Sequence, residues 1–287
     1  MPLIRIEEAA DPRLADYRAL SSPERTDCGG TFVAEGRLVV RRLLTRSRFA
    51  TRSVLVTPPA LAALADVLET RAPVPVFLAP QPVMNAIAGF NIHRGCLAIG
   101  ERPEPGRWQE IAALAHHEPP IVNHQSQSAS VLIALERLAN ADNVGGIFRS
   151  AAAFGVSGVL LESTSTDPLY RKAIRTSMGA TLQVPFARAE PWPDVLHTLR
   201  RDGFAVVGMT PVVGAQPLQE VVNATGRRPT VLVLGHEGDG LTTEALSACE
   251  FRARIDVSSV VDSLNVAAAA AIALYEFAGS ADVRRRR

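Results

Sequence analysis

Polar and glycine residues gather at three places in the second half of the chain, and each group has a composition suited to binding a ligand. The first group is Asn143-Val-Gly-Gly-Ile-Phe-Arg149, at a predicted junction of strand and helix. Asn143 is a suitable helix N-cap, and the two glycines let the backbone approach a neighbour closely. A capping residue followed by a surface arginine would explain the same residues without chemistry, so this group alone leaves both interpretations open.

The second group is a glycine-rich loop, Gly235-His-Glu237-Gly-Asp-Gly240-Leu, between a predicted buried strand and a predicted helix. Loops of this kind bind ligands through backbone groups. The spacing matches neither the dinucleotide-binding G-x-G-x-x-G pattern nor a Walker loop, so binding of NAD or ATP is not supported. Glu237 stands among glycines, where it is positioned to do more than cap a helix. A plain tight loop is the alternative.

The third group is Ser263-Leu-Asn265, between a predicted strand and a helix rich in alanine. Both polar side chains are of the types that cap helix N-termini, which is their simplest interpretation. The alanines allow very close packing of the helix against another element. Each group is a weak signal when it is considered alone.

In this order the three groups resemble the signature motifs of the SpoU/TrmH branch of the SPOUT RNA methyltransferases. Those motifs are N-x-G-x-x-x-R, then L-G-x-E-G-x-G-L, then a strand followed by S-L-N-V, and all key positions match here. The segment 175–186 also resembles the stretch between the first two motifs. The resemblance covers about residues 128–287.

The resemblance implies an α/β fold with a parallel sheet and a deep trefoil knot at the C-terminus. It also implies a homodimer with the active site near the interface, an RNA substrate and S-adenosylmethionine as the cofactor. The positions that it assigns to the cofactor are Thr210, Gly235, Gly240, Ile255 and Leu264. The positions that it assigns to catalysis and substrate are Asn143, Arg149, Glu237, Ser263 and Asn265.

Methyl transfer from a sulfonium to a ribose 2′-hydroxyl is an in-line displacement, so the protein must align the hydroxyl and help its proton to leave. The donor is already activated, and no metal is needed. A guanidinium, with a pKa above about 12, does not normally deprotonate. Arg149 therefore fits the orientation of phosphate and hydroxyl better than the role of a base. Whether Arg149 or a water takes the proton stays open.

The first hundred residues resemble, more loosely, the family's N-terminal substrate-binding domain, which is similar to an RNA-binding ribosomal protein. The segments 32–36 and 93–95 occupy the places of related segments in such domains. Residues 1–100 hold 12 arginines and 9 acidic residues. Six of these arginines form a run without acidic residues: Arg37, Arg41, Arg42, Arg46, Arg48 and Arg52. The run is either a solvated helix face or a contact surface for RNA phosphates.

Strands that alternate with helices predict an α/β architecture in both halves. The predicted domains are an RNA-binding unit over 1–104, a linker over 105–127 and the methyltransferase domain over 128–287. In the last of these, short apolar strands that look parallel and covered on both faces are predicted over 131–135, 158–161, 205–209, 230–234 and 254–257. In the same domain, helices are predicted over 144–154, 195–202, 242–248 and 264–277. In the RNA-binding unit, a helix is predicted over 32–44.

Composition excludes several classes of protein. With 287 residues, 47% of them hydrophobic and 21% charged, the chain is expected to be globular. Three widely spaced cysteines (Cys28, Cys96 and Cys249) fit a reducing compartment, and no apolar run approaches the length of a membrane span. We therefore expect a cytoplasmic protein. His116, His117 and His124 lack further metal-ligand company, so no metal is expected, and no serine lies in the G-x-S-x-G elbow of hydrolases.

The sequence thus predicts an S-adenosylmethionine-dependent RNA 2′-O-ribose methyltransferase that acts on rRNA or tRNA. Two alternatives stay open. One is an RNA-binding protein of the same fold that has lost catalysis. The other is a base methyltransferase of the same superfamily, although the S-L-N-V motif favours the ribose branch.

Overall fold

The computed structural model describes residues 3–18, 30–70, 74–89, 92, 95–116, 130–258 and 260–283. Its internal contacts group the chain into two compact units. The first is formed by Met1–Glu104 with Asp167–Gln183, and the second by Pro105–Thr166 with Val184–Arg287. The segment Asp167–Gln183 therefore packs with the first unit, a grouping that local sequence patterns do not reveal. The predicted domain boundaries stay predictions.

The first unit is built on a five-stranded mixed sheet with the strand order β1-β4-β3-β5-β2. Its strands are β1 (Leu3–Arg5), β2 (Thr31–Glu35), β3 (Thr51–Val56), β4 (Val76–Leu78) and β5 (Cys96–Glu101). Its helices are α1 (Ala15–Arg18), α2 (Arg37–Arg46), α3 (Pro58–Thr70), α4 (Gln81–Ala88) and α7 (Arg171–Thr176). Strand β5 runs antiparallel to both β2 and β3, whereas the pairs β1–β4 and β3–β4 are parallel.

The helix predicted over 32–44 is wrong in its first part. The residues up to Glu35 form β2, and α2 begins only at Arg37. The physical reason is Gly36, whose φ of 94° lies in a region that residues with a Cβ rarely adopt. This glycine ends the strand and turns the chain into the helix, so apolar residues on both sides of it belong to different elements.

The second unit is built on a seven-stranded sheet in which every pairing is parallel, with the order β10-β12-β9-β11-β6-β7-β8. Its strands are β6 (Val131–Leu135), β7 (Gly158–Leu161), β8 (Phe186–Arg188), β9 (Ala205–Met209), β10 (Gln216–Pro217), β11 (Thr230–Leu234) and β12 (Phe251–Arg254). Its helices are α5 (Trp108–Leu114), α6 (Ala141–Ala153), α8 (Asp194–Arg201), α9 (Leu218–Thr225), α10 (Thr243–Ala248) and α11 (Val266–Val283). Every residue of β6 and β11 is buried, as the uniform apolar runs predict.

The predicted strand over 254–257 is wrong by three residues. Strand β12 pairs with β9 from Phe251 to Ala253, and the chain leaves the sheet after Arg254. Phe251 and Arg254 are only partly buried in this strand and Ala253 alone is buried, so its apolar signal is weak. The predictions over 131–135, 158–161, 205–209 and 230–234 are confirmed to the residue.

All seven parallel strands end at one edge of the sheet. The strands β6, β7 and β8 follow one another outward on one side, and the remaining strands lie beyond β11 on the other. The chain therefore reverses its direction of travel across the sheet between β6 and β11. In open parallel sheets, ligands bind outside the carboxyl ends of the strands at such a reversal. The fold thus singles out the loops after β6 and β11.

The sequence also makes predictions about membrane spans, metal sites and cysteines. In the described part of the chain no helix is long and apolar enough to cross a membrane, and no three His, Cys, Asp or Glu side chains are grouped to hold a metal ion. Cys96 and Cys249 are buried free thiols, and burial raises the pKa of each to about 12. Cys28, His93, Arg94, His117 and His124 lie outside the described residues.

Candidate active site

Asn143 is the centre of a hydrogen-bond network that joins the three sequence motifs. Its side chain is 7% exposed, in the first turn of α6. Its Nδ2 donates to Oε1 of Glu237 over 2.9 Å, and its Oδ1 accepts from Nδ2 of Asn265 over 2.9 Å. One amide therefore uses its donor for the second motif and its acceptor for the third. The prediction that Asn143 caps the helix is wrong, because Oδ1 of Asn140 accepts from the Asp142 N–H and performs that role.

Glu237 lies exposed beyond β11 with its carboxylate fixed from one side. Its Oε1 accepts from Asn143 and, over 3.2 Å, from the backbone N–H of Asn140. Partial burial alone would raise the pKa of Glu237, but the hydrogen bonds from Asn143 and from the main chain of Glu237 and Asn140 outweigh it and lower the pKa. The site therefore holds an ionised hydrogen-bond acceptor.

Asn265 fulfils both roles that its sequence position allows. Its Oδ1 accepts from the N–H groups of Ala267 (2.9 Å) and Ala268 (3.3 Å) and caps α11, while its Nδ2 reaches Asn143. The helices α6 and α11 pack closely, because a Cβ added at Gly146 would lie 3.0 Å from the Cβ of Ala267. The second glycine of the first motif thus permits the approach that lets the two asparagines meet.

The loop that carries Glu237 closes on itself. The N–H of His236 donates to the carbonyl of Gly240 (3.1 Å), and the N–H of Gly240 donates back (3.0 Å). A Cβ at Gly235 would lie 2.4 Å from the backbone of Gly240, so this position admits only glycine. Nδ1 of His236 accepts from the N–H groups of Gly238 and Asp239. These bonds fix the loop at whose tip Glu237 stands.

The positions predicted for the cofactor line up along neighbouring strand ends. Thr210, Gly235 and Ile255 directly follow β9, β11 and β12, which are adjacent in the sheet. Thr210 is buried and donates its N–H to the Ala253 carbonyl, and Ile255 and Leu264 are half-buried. An adenosine needs apolar walls and backbone hydrogen-bond partners, and these residues offer both. The set fits S-adenosylmethionine, and the assignment of each residue stays a prediction.

Comparison with known proteins decides the family. A family model described as "SpoU rRNA Methylase family" matches residues 130–275. The chain belongs to the SpoU rRNA methylase family. It is 40% identical to an uncharacterized tRNA/rRNA methyltransferase of Mycobacterium tuberculosis (strain H37Rv), over 93% of this chain and 88% of the relative. It is 26% identical to the 23S rRNA (guanosine(2553)-2′-O)-methyltransferase RlmP of Bacillus subtilis (strain 168), over 96% and 99% of the two chains.

Solved structures of the family have the same fold. The AdoMet-bound rRNA methyltransferase of Sinorhizobium meliloti superposes with a TM-score of 0.75 at 26% identity, covering 97% of this chain and 98% of its own. The expected α/β fold with a parallel sheet is therefore confirmed. The family resemblance predicted from the three motifs is confirmed as well.

Two of the predicted residues of this SpoU family member lie outside the network. Arg149 is exposed and, six residues after Asn143, points about 240° around the helix from it. Ser263 is exposed two residues before Asn265. Among the described residues neither side chain has a hydrogen-bond or ion-pair partner. Their predicted roles in catalysis stay predictions.

Sequence reasoning missed Asn140 and Glu136. Asn140 supplies both the cap of α6 and an N–H to Glu237. Glu136 directly follows β6 and is 1% exposed, although isolated carboxylates are rarely buried to this extent. An acidic residue directly after an apolar strand of a parallel sheet is the signal that could have found it, because that position lies at the ligand-binding edge.

Proposed function

We propose that this protein transfers a methyl group from S-adenosylmethionine to a ribose 2′-hydroxyl of rRNA or tRNA. It is a methyltransferase of the SpoU family, and RNA is its substrate class. The observation that carries the ribose assignment is the network of Asn143, Glu237 and Asn265, which fixes a carboxylate that can accept a hydrogen bond from a hydroxyl. The Bacillus subtilis relative RlmP is named as a 2′-O-methyltransferase, which is the same chemistry in that protein.

Different residues are proposed to bind the cofactor, the 2′-hydroxyl and the neighbouring phosphate. We assign the binding of S-adenosylmethionine to Thr210, Gly235, Gly240, Ile255 and Leu264, and the bound cofactor would supply a methyl group on an already activated sulfonium. Glu237 accepts a hydrogen bond from the 2′-hydroxyl and orients its oxygen, because a carboxylate held ionised is an acceptor only. Asn143 and Asn265 keep Glu237 in place. Arg149 and Ser263 lie on the substrate side, where the guanidinium binds the neighbouring phosphate.

We further propose a C-terminal trefoil knot and a homodimer formed by the second unit. Exposed large apolar side chains on and before α11 support the dimer, because exposed apolar surface of this kind often marks an interaction site. Val260 and Tyr275 are 88% and 64% exposed, and Val261 and Ile272 are also exposed. The ring of Tyr275 packs edge-on against Phe154 of α6, with centroids 6.4 Å apart.

Replacing Ile272 and Tyr275 together with glutamate is expected to convert the dimer into monomers, because two charges would be buried without partners. Light scattering on the full chain measures the mass. Val213→Glu is the matched control, since Val213 is fully exposed in the loop after β9. A double variant that stays dimeric, or a monomeric parent protein, would contradict the proposed interface.

RNA binding by the first unit is proposed for only part of the basic run. Arg41 forms a bidentate pair with Asp66 (2.5 and 2.9 Å), and Arg52 pairs with Asp16 and Glu101. Two further arginines of the run make intramolecular contacts: Arg42 donates to the Met178 carbonyl, and Arg48 lies over the Phe49 ring. Arg37 and Arg46 are exposed, and neither has a hydrogen-bond or ion-pair partner among the described residues. We propose these two for phosphate contact.

Replacing Arg37 and Arg46 with glutamine is expected to reduce the slope of log K against log salt by about 0.7–0.9 per lost phosphate contact. Cofactor affinity should not change. The matched control is the double variant Arg41→Gln with Asp66→Asn, which removes an internal ion pair at constant net charge and should leave the slope as it is. If only the control changes the slope, the RNA-contacting arginines have been chosen wrongly.

Mapping of 2′-O-methyl positions in total RNA from cells with and without this gene tests the proposed function. One or a few rRNA or tRNA positions should lose their methyl group when the gene is absent. Loss of a base methylation instead would place the protein in the base-modifying branch. No change, together with no binding of S-adenosylmethionine in a titration, would identify an RNA-binding protein that lacks catalysis. Cytoplasmic placement stays a prediction.

A further inference from the structure

The second unit contains a cavity of about 800 Å³ that the proposed function has not used. It lies outside the carboxyl ends of β6, β7 and β8, and so on the same sheet edge as the Asn143 network. Its volume is in the range of pockets that hold small organic groups. The wall includes the ring of Trp192 between two prolines, the guanidinium of Arg137, and four carboxylates, those of Glu136, Glu162, Glu190 and Glu244.

Trp192 forms a preformed aromatic wall. Its Nε1 donates to Oε1 of buried Glu136 over 2.7 Å, and the rest of the ring packs against the core of the unit. Glu136 is itself fixed, because its two oxygens accept from the hydroxyl and the N–H of Thr242, each over 2.8 Å. An indole with a fixed ring plane is a stacking surface for a flat ligand, as in the recognition of unstacked RNA bases.

The four carboxylates are not equivalent. Glu162 is saturated by donors from Ser163, Thr164 and the N–H of Arg137, and Glu136 is bound as described. Glu190 and Glu244 are exposed, and neither has a hydrogen-bond or ion-pair partner in the described part of the chain. An ionised carboxylate accepts only, and its two oxygens match two parallel N–H donors. The cavity therefore favours a flat group with adjacent donors and disfavours an anion.

Arg137 connects this cavity with the candidate active site. Its φ of 55° is a left-handed conformation that residues other than glycine adopt at a cost, often at functional sites. The conformation is held by the bond from its N–H to Glu162. Its Nη2 donates to Asp239 over 3.1 Å, two residues beyond Glu237. A group bound in the cavity thus lies beside the loop that carries Glu237.

We propose that the cavity binds a guanine base turned out of the RNA, with its ring on Trp192 and its N1–H and N2–H₂ edge on the free carboxylates of Glu190 and Glu244. Guanine is the base that presents two adjacent donors on its Watson–Crick edge. Adenine and cytosine place an acceptor beside their amine, and uracil flanks its N–H with two acceptors. Binding of the base does not depend on methyl transfer. The placing of the attached ribose at Glu237 does rest on the proposed function.

Tryptophan fluorescence of the full chain tests this proposal. The chain has two tryptophans, so Trp108→Phe leaves Trp192 as the sole reporter. Single-stranded RNA pentamers of uridine with a central G, inosine, A, C or U are titrated without cofactor. We expect saturable quenching by the G pentamer, binding at least about tenfold weaker for A, C and U, and an intermediate value for inosine, which lacks the N2 amine.

The double variant Glu190→Gln with Glu244→Gln should lose the preference for G and still be quenched. Glu220→Gln, an exposed carboxylate on α9, is the matched control and should keep the preference. Equal quenching by all five pentamers in the parent protein would overturn guanine recognition, and no response of Trp192 to any of them would overturn the cavity as a base site. Selective binding of G by a protein without methyl transfer would refute the proposed function and leave this inference intact.

Discussion

Replacing Arg149 with alanine is expected to lower methyl transfer by at least about 10²–10³-fold, while the affinity for S-adenosylmethionine stays within a few fold. The reason is the position of the side chain. Arg149 is exposed on α6, is not among the residues that the family resemblance assigns to the cofactor, and is proposed to hold the phosphate and stabilise the developing oxyanion charge. Single-turnover kinetics measure the transfer, and calorimetry measures cofactor binding.

Two further variants sharpen this expectation. Arg149→Lys keeps the charge but loses the planar fork, so it should recover only a small part of the activity. Arg200→Ala removes an exposed arginine from α8 and should leave the transfer rate unchanged. If the Arg149→Ala protein no longer binds S-adenosylmethionine, Arg149 belongs to the cofactor side and the division of roles is wrong.

The second large effect concerns the charge of Glu237. In Glu237→Gln, an amide oxygen still accepts from Nδ2 of Asn143 and from the Asn140 N–H, so the network and the melting temperature should be kept. Methyl transfer should nevertheless fall by about 10²-fold or more, because the ionised acceptor for the 2′-hydroxyl is lost. A variant with parental activity would assign Glu237 a purely structural role.

Asn143→Ala should act on the same carboxylate through its pKa. The pKa of Glu237 is lowered in the native protein partly by the hydrogen bond from Asn143, and burial opposes this. Removal of the bond should raise the pKa and move the acid limb of the pH profile of kcat/KM to higher pH. Loss of the two hydrogen bonds of buried Asn143 should also cost about 1–3 kcal/mol of unfolding free energy. An acid limb that does not move would separate Asn143 from Glu237.

The strands of the second unit were predictable because they are short, uniformly apolar and covered on both faces, as β6 and β11 illustrate. Strand β2 was not, since its apolar residues continue across Gly36 into α2 and the combined pattern also fits a helix. The grouping of Asp167–Gln183 with the first unit was equally inaccessible. It depends on contacts with residues distant in sequence, which no local period records.

The site was predictable as a set of motifs but not as an arrangement. Asn143 contacts a side chain 94 positions away and another 122 positions away, so the sequence could nominate these residues without joining them. Local capping rules could not identify Asn140 as the cap, because Asn140 and Asn143 are both asparagines near the start of α6 and both are suitable capping residues. Trp192 and Glu136 belong to no motif, and only the fold places them together.

The acceptor atom is the central claim, and alkaline hydrolysis of the product tests it most directly. A 2′-oxygen that carries a methyl group cannot attack the neighbouring phosphodiester, so that single linkage survives alkali. Purified protein, labelled S-adenosylmethionine and the cognate RNA should therefore give label in an alkali-resistant dinucleotide. Label recovered in an ordinary mononucleotide or on a released methylated base would contradict ribose methylation.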